Sequence, residues 1–200
     1  MRIEWQKEIG ELLQEPNRRS LLLTCVDFEC DDMIFLVEQL NQHPNVTVVD
    51  LSRGNLENDS AIELAKLKHV TDLNVCNNAI RAPGAIALLQ NTHFKKLILS
   101  QNGLDDSILQ AAINNHTLKE FKVERAYLEP EVKQQIDDHF KQRSSLLSNG
   151  HFKESSKSKG IVAPKSFNNG ENKHKPSAFF PEGNKVEITT KHQPTSFEAN

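Results

Sequence analysis

The sequence predicts an α/β fold, a short right-handed solenoid with a parallel sheet on its concave face and helices on its convex face. Three observations predict it. Residues 70–80 and 94–104 share the pattern L-x-x-L-x-L-x-x-N-x-L, where L is any large apolar residue. Segments that begin at residues 46 and 118 keep every apolar position of this frame, and a segment that begins at Arg18 keeps all but the first, so five repeats follow one another at spacings of 28, 24, 24 and 24 residues. Between these segments, apolar residues recur at helical spacing.

The first 17 residues are predicted to form an N-terminal cap. Apolar residues recur at nearly helical spacing over residues 3–15, and Pro16 ends the pattern. The first coil of a solenoid would otherwise expose its apolar end, so we expect this helix to cover it. Trp5, the only tryptophan, is therefore expected to pack within the protein rather than bind a partner.

Each repeat is predicted to contain one strand. Side chains alternate along a strand, so the fourth and sixth residues of the pattern face the core and the third, fifth and seventh face outward. The predicted core pairs are Leu21 and Leu23, Val49 and Leu51, Leu73 and Val75, Leu97 and Leu99, and Phe121 and Val123.

The segments that return the chain between strands are predicted to be helices. Residues 60–67 and 85–89 combine helical spacing with good helix formers. Acidic residues precede two further helical runs, with Asp31 and Asp32 before Met33 and residues 105–107 before Ile108. They supply capping groups and a negative charge at the start of each helix.

Two asparagines are predicted to be structural. Asn78 and Asn102 occupy the ninth position of the pattern, where an amide can satisfy backbone groups of the turn that leaves the strand. The other repeats carry Val26, Gly54 and Ala126 at this position. We therefore expect the amide ladder only in the middle of the stack.

The solenoid is predicted to span residues 18–143, ending in a cap helix over 130–142. Pro130 suits the start of that helix, and apolar residues follow every four positions. Residues 144–200 are rich in Lys, Ser and Asn and are interrupted by prolines. Because they contain too little apolar surface to offset the entropy of ordering, this tail is predicted to be disordered.

Composition excludes several classes of protein. Residues 1–143 carry a net charge of -6 and residues 144–200 one of +3, without the clustered basic surface that nucleic-acid binding requires. Cys25, Cys30 and Cys76 lack the spacing of a disulfide framework or a zinc finger. Neither a secretory signal nor a membrane-spanning segment is present in the sequence. A monomeric cytoplasmic protein without a cofactor is expected.

The outward face of the sheet is the predicted binding surface. The residues assigned to it are Val48, Asp50, Asp72, Asn74, Cys76, Lys96, Ile98, Lys122 and Glu124. Val48 and Ile98 are candidate apolar anchors. Lys95, Lys96, Lys119 and Lys122 are expected to cluster on the last two repeats, opposite Asp50 and Asp72, which makes the face dipolar. The alternative is a face that is only solvated.

Metal binding and catalysis are not predicted. His69 and His93 lie one repeat apart and could share a metal, but no Asp, Glu or Cys recurs in phase with them to complete a site. Cys76 is the one thiol expected on the outward face, and His69 lies at the far end of the same repeat. No catalytic motif is present, so an enzyme that uses Cys76 is the least favoured alternative.

The repeated pattern resembles leucine-rich repeats over residues 18–128. Residues 84–89 and 114–118 look like segments of the ribonuclease-inhibitor-like subclass. The resemblance implies a non-enzymatic scaffold that binds a protein partner through its concave face, or one that docks on an enzyme and regulates or inhibits it. A short array followed by a polar tail also resembles effectors that Legionella-like bacteria export to a host cell by a type IV system. Glu171, Glu182, Glu187 and Glu198 with Phe197 are compatible with such a C-terminal signal.

Overall fold

The computed structural model describes residues 2–28 and 30–148. The strands are β1 (Ser20–Leu22), β2 (Val48–Asp50), β3 (Asp72–Asn74), β4 (Lys96–Ile98) and β5 (Glu120–Lys122). The helices are α1 (Arg2–Leu13), α2 (Cys30–Gln42), α3 (Asn58–Leu64), α4 (Ala82–Gln90), α5 (Leu109–Asn114) and α6 (Pro130–Ser148), with a 3-10 helix (Asp106–Ile108) before α5. Strand and helix therefore alternate along the described chain.

The five strands form one parallel sheet in the order β1-β2-β3-β4-β5. Its register follows the sequence period, since Val49 pairs with Leu73 and Leu73 with Leu97. Backbone bonds between repeats continue past the strands, as when the Asn77 N–H donates to the Ser100 carbonyl at 2.9 Å. The α/β solenoid predicted from the sequence is confirmed.

The sixth pattern residues form one buried row behind the sheet. Leu51, Val75 and Leu99 are completely inaccessible to solvent, and Val123 is 3 % exposed. Phe94, at the first position of the fourth repeat, is among the largest fully buried side chains. Burial of these in-phase residues supplies most of the driving force for stacking the repeats.

Both predicted cap helices are present, with shifted ends. Trp5 of α1 packs edge-to-face on Phe28, with ring centroids 5.6 Å apart, and also against Phe35 of α2. Helix α6 continues to Ser148, so residues 144–148 are helical where disorder was predicted. Residues 149–200, the rest of that predicted tail, lie outside the described residues.

Asn78 and Asn102 bind backbone groups of two repeats at once. The Asn78 amide nitrogen donates to the carbonyls of Leu51 and Val75, and its oxygen accepts the N–H groups of Gly54 and Leu56. Asn102 is buried and repeats the arrangement one coil later. The helix α4 that follows Asn78 packs closely on α3, because Gly84 has no Cβ to meet Ala61.

A second asparagine pair closes the turns that enter the strands. The amide nitrogen of buried Asn91 donates to the carbonyls of Ala65 and Leu67, and its oxygen accepts the N–H of His93 at 2.7 Å. Asn115, 24 residues later, donates to the carbonyl of Leu89 at 2.6 Å. The fourth repeat is thus tied to the third by asparagine side chains at both ends of its strand.

Candidate functional site

The concave face consists of the outward side chains of β1 to β5. It also includes, for each strand, the residue two positions after the strand ends. The nine predicted binding residues all belong to it. Along a strand, outward residues are two positions apart, and across strands, outward residues pair with one another in the register. Most are half-buried, Asp50 is buried and Glu124 is exposed. The sheet thus brings together residues that lie up to 76 positions apart in the sequence.

The register arranges these side chains in three rows across the strands. The first row contains Ser20, Val48, Asp72, Lys96 and Glu120, and the second contains Leu22, Asp50, Asn74, Ile98 and Lys122. The third row, just beyond the strands, contains Thr24, Ser52, Cys76, Ser100 and Glu124. Apolar side chains are therefore interspersed with charged ones.

Asp50 and Asn74 form a polar pair at the centre of the face. The Asn74 amide nitrogen donates to Oδ2 of Asp50 at 2.9 Å, and each side chain also accepts the N–H two residues ahead, from Ser52 at 2.9 Å and from Cys76 at 3.0 Å. These local bonds turn the chain where the strand ends. They also leave Asp50 only 5 % exposed, although the sequence placed it among the outward residues of the sheet.

The predicted basic cluster contains a carboxylate. Glu120 binds both Lys96 and Lys122, with Nζ to Oε distances of 3.0 Å and 3.3 Å. Lys95 and Lys119 precede their strands and stand one position out of phase with the outward row. The C-terminal half of the face is therefore a network of alternating charge, because one carboxylate on β5 neutralises the lysines on either side.

Cys76 lies in the third row beside Gln101, with 3.8 Å between Sγ and Oε1. Burial raises the pKa of the Cys76 thiol above its ordinary value, and the negative charges of Asp50 and Glu124 raise it further. The opposing charges of Arg53 and Arg125 lower it by less. A thiol of this kind stays protonated at neutral pH, whereas a cysteine nucleophile needs a lowered pKa.

The histidines that precede the strands are largely exposed. His69, His93 and His116 are exposed, and His43 is held by a 2.7 Å contact between Nδ1 and the Gln39 carbonyl. Within residues 2–28 and 30–148, no group of three His, Cys, Asp or Glu side chains could hold a metal ion. Over the same residues, no helix is long and apolar enough to cross a membrane.

A second surface, which sequence reasoning missed, lies where the strands lead into the helices. A groove of about 740 Å³ runs across the repeats there, lined by Glu57, Arg81, Asp105, Tyr127 and their neighbours. Tyr127 is 84 % exposed. Gly103 and Ala79 stand one and two repeats before Tyr127, respectively, so two small residues leave the groove open beside it. That 24-residue column was the signal available in the sequence.

Comparisons with known proteins agree with this architecture. Residues 66–89 and 90–111 match the model of the leucine-rich repeat, which confirms the repeats predicted for this part of the chain. Across the curated proteins, no sequence matches this chain.

Two solved structures illustrate the likeness in fold. Leiomodin-1 actin-binding site 2 is 16 % identical, with a TM-score of 0.59 over 73 % of this chain and 91 % of that chain. The tropomodulin C-terminal domain of Caenorhabditis elegans is 11 % identical, with a TM-score of 0.58 over 72 % of this chain and 96 % of that chain. At such low sequence identities, the likeness is one of fold alone.

Proposed function

We propose that this leucine-rich repeat chain is a non-enzymatic module that binds one protein partner through its concave face. The observation that carries the proposal is the composition of that face, in which half-buried Val48 and Ile98 stand among charged side chains on a rigid sheet. A mixed surface of this kind suits a protein partner, because apolar anchors supply affinity while the surrounding charges set orientation and exclude other partners.

The size of the face limits what can dock on it. Five strands about 4.8 Å apart give a surface roughly 20 Å long. This length accommodates one helix or one loop of a partner, so affinity depends on a few central side chains. Ile98 is the best candidate for the centre, since it lies in the middle row on β4 and is flanked by Asn74 and Lys122.

A capture experiment tests the assignment. The wild-type chain and an Ile98→Asp/Lys122→Glu variant are immobilised, and bound proteins are identified by mass spectrometry. We expect recovery of the specific partner to fall at least about tenfold in the variant, because a buried charge replaces an apolar anchor. If the variant recovers the partner as well as the wild-type chain does, the concave face is not the binding surface.

The convex side offers a matched control. Ile62→Asp/Lys66→Glu makes the same two chemical changes on the convex side, at Ile62 of α3, which is 40 % exposed, and at Lys66 just after the helix. This variant should recover the partner as the wild-type chain does. Circular dichroism of both variants checks that each remains folded.

Purified actin is the first defined protein to test, because a structure of similar fold is an actin-binding site of leiomodin-1.

A finer proposal is that binding regulates a partner enzyme. An activity assay on the recovered partner separates regulation from tethering. Export to a host cell is a separate proposal that rests on the sequence of residues 149–200. Fusing those residues to a reporter enzyme tests it independently of the concave face.

A further inference from the structure

Asp50 and Asp72 place two carboxylates side by side on the concave face. The register pairs Asp50 with Asn74 and Val48 with Asp72, so the two aspartates are diagonal neighbours on β2 and β3. Strand spacing and rise put diagonal neighbours of this kind about 8 Å apart at their Cα atoms. Both side chains point to the same side of the sheet, which leaves their carboxylates within reach of one cationic group.

Neither carboxylate forms an ion pair within 4 Å in the described part of the chain, although Lys96 is the cross-strand neighbour of Asp72 and binds Glu120 instead. Asp50 accepts one neutral N–H from Ser52 and one from Asn74. Asp72 accepts the Thr71 hydroxyl at 2.6 Å. A carboxylate offers about four acceptor positions, so both retain capacity for a further donor. By contrast, Glu120 on the same face binds two lysines.

The surroundings make this charge costly unless a partner compensates it. Asp50 is 5 % exposed, and Leu22, the residue that pairs with it on β1, is 7 % exposed. Half-buried Val48 pairs with Asp72 on the other row. Water is largely excluded from such a position, and a cation that replaces it interacts more strongly than it would in solvent.

We propose that the concave face recognises a partner segment that presents an arginine or lysine to Asp50 and Asp72, with an adjacent apolar residue against Val48 and Ile98. This inference rests on the proposed function. Arginine is the better fit, because its planar fork can donate to two carboxylates at once while its aliphatic stem covers apolar surface. The network of Lys96, Glu120 and Lys122 confines the cation to the N-terminal half of the face.

Selection from a phage-displayed library of short random peptides tests the proposal. The full chain is the bait, and selected peptides are measured by isothermal calorimetry against single variants. We expect enrichment of Arg or Lys beside an aliphatic or aromatic residue, and a loss of affinity of about tenfold in Asp72→Asn. Asp72 is the first choice because its carboxylate accepts a side-chain hydrogen bond from the neighbouring Thr71 and bridges no two strands, so we expect the variant to fold.

Two further variants sharpen the result. Asp50→Asn should weaken binding as well, and its folding is checked because Asn74 loses an acceptor. Asp138→Asn makes the same change in charge on α6, away from the sheet, and should bind peptides as the wild-type chain does.

The outcomes separate this inference from the proposed function. One outcome is that selected peptides bind Ile98→Asp more weakly than the wild-type chain and yet contain no Arg or Lys, or bind Asp72→Asn with unchanged affinity. Either result overturns the inference and leaves the concave face as a binding surface. Peptides that bind every concave variant equally overturn both. Failure to enrich any peptide overturns the inference, since two neighbouring aspartates that lack an ion pair should select basic ligands.

Discussion

The side chains of Asn78 and Asn102 donate to one acceptor, because the carbonyl oxygen of Val75 lies 2.9 Å from the amide nitrogen of each. Asn78 binds it from within the same repeat and Asn102 from the next one. The two amides are therefore linked through a shared backbone group, although 24 residues separate them. This link joins the third and fourth repeats on the side of the sheet where the strands end.

Removing both amides should cost more than the sum of the single changes. We expect Asn78→Ala and Asn102→Ala each to lower the free energy of unfolding by about 3 kcal/mol, since several backbone groups lose their partners. Only the double variant removes both donors from the Val75 carbonyl, which should add about 1 kcal/mol. Urea unfolding of the four proteins measures this coupling. If the two single losses of unfolding free energy add up to the loss in the double variant, the predicted coupling is wrong. Asn114→Ala on the exposed end of α5 is the control.

Two glycine substitutions in helices should act in opposite directions. In α4, a Cβ on Gly84 would lie 2.9 Å from the Cβ of Ala61 and 3.0 Å from the Cα of Asn58. Gly84→Ala should therefore destabilise the protein by about 2 kcal/mol, because α3 and α4 must move apart. In α1, no atom lies within 4 Å of a Cβ on Gly10, so Gly10→Ala should stabilise it by about 0.5–1 kcal/mol. Thermal unfolding of both variants checks the difference in sign.

The exit from each strand uses a residue in the left-handed backbone region. The residues at this position are Cys25, Arg53, Asn77, Gln101 and Arg125, with φ between 55° and 61°. At exposed Arg125, glycine should be more stable than alanine by about 1 kcal/mol, because only glycine avoids the steric cost of positive φ. Urea unfolding of Arg125→Gly and Arg125→Ala measures the difference. At exposed Lys119, which is the control, the alanine variant should be more stable than the glycine variant. If alanine is more stable than glycine at Arg125 as well, the prediction is refuted.

His139 should make the protein less stable in mild acid. Burial, with the positive charges of Arg143 and His116, lowers the pKa of His139 below its ordinary 6.5. The unfolded chain then binds the proton more readily than the folded one, so stability is complete above pH 6.5 and falls as the pH drops from there toward the lowered pKa. Urea unfolding at neutral and mildly acidic pH measures this slope.

His139→Phe should reduce that dependence on pH, because it removes the titrating group from a site where Nε2 is buried without a partner in the described structure. The ring of His139 packs edge-to-face on Phe140, a contact that phenylalanine can keep. His93→Phe on the exposed surface is the matched control. An unchanged slope in His139→Phe would assign the acid sensitivity to other groups.

The sequence by itself determined the number of repeats, their register and the division of each strand into inward and outward residues. It could do so because a 24-residue period and an alternation of two fix which side chains meet, whatever the surroundings. Leu51, Val75, Leu99 and Val123 are buried in one row for this reason. Asn78 and Asn102 bind the turns for the same reason, since each amide acts on backbone groups at fixed offsets.

Only the tertiary structure decided how the outward side chains pair and how far each is buried. Glu120 neutralises Lys96 and Lys122 because rotamers and strand spacing bring the three together. Asp50 is buried because Asn74 folds over it, while Asp72 on the next strand remains half-buried. Such pairings depend on distances of a few ångströms between residues of different repeats, and a linear pattern of residue types does not contain those distances.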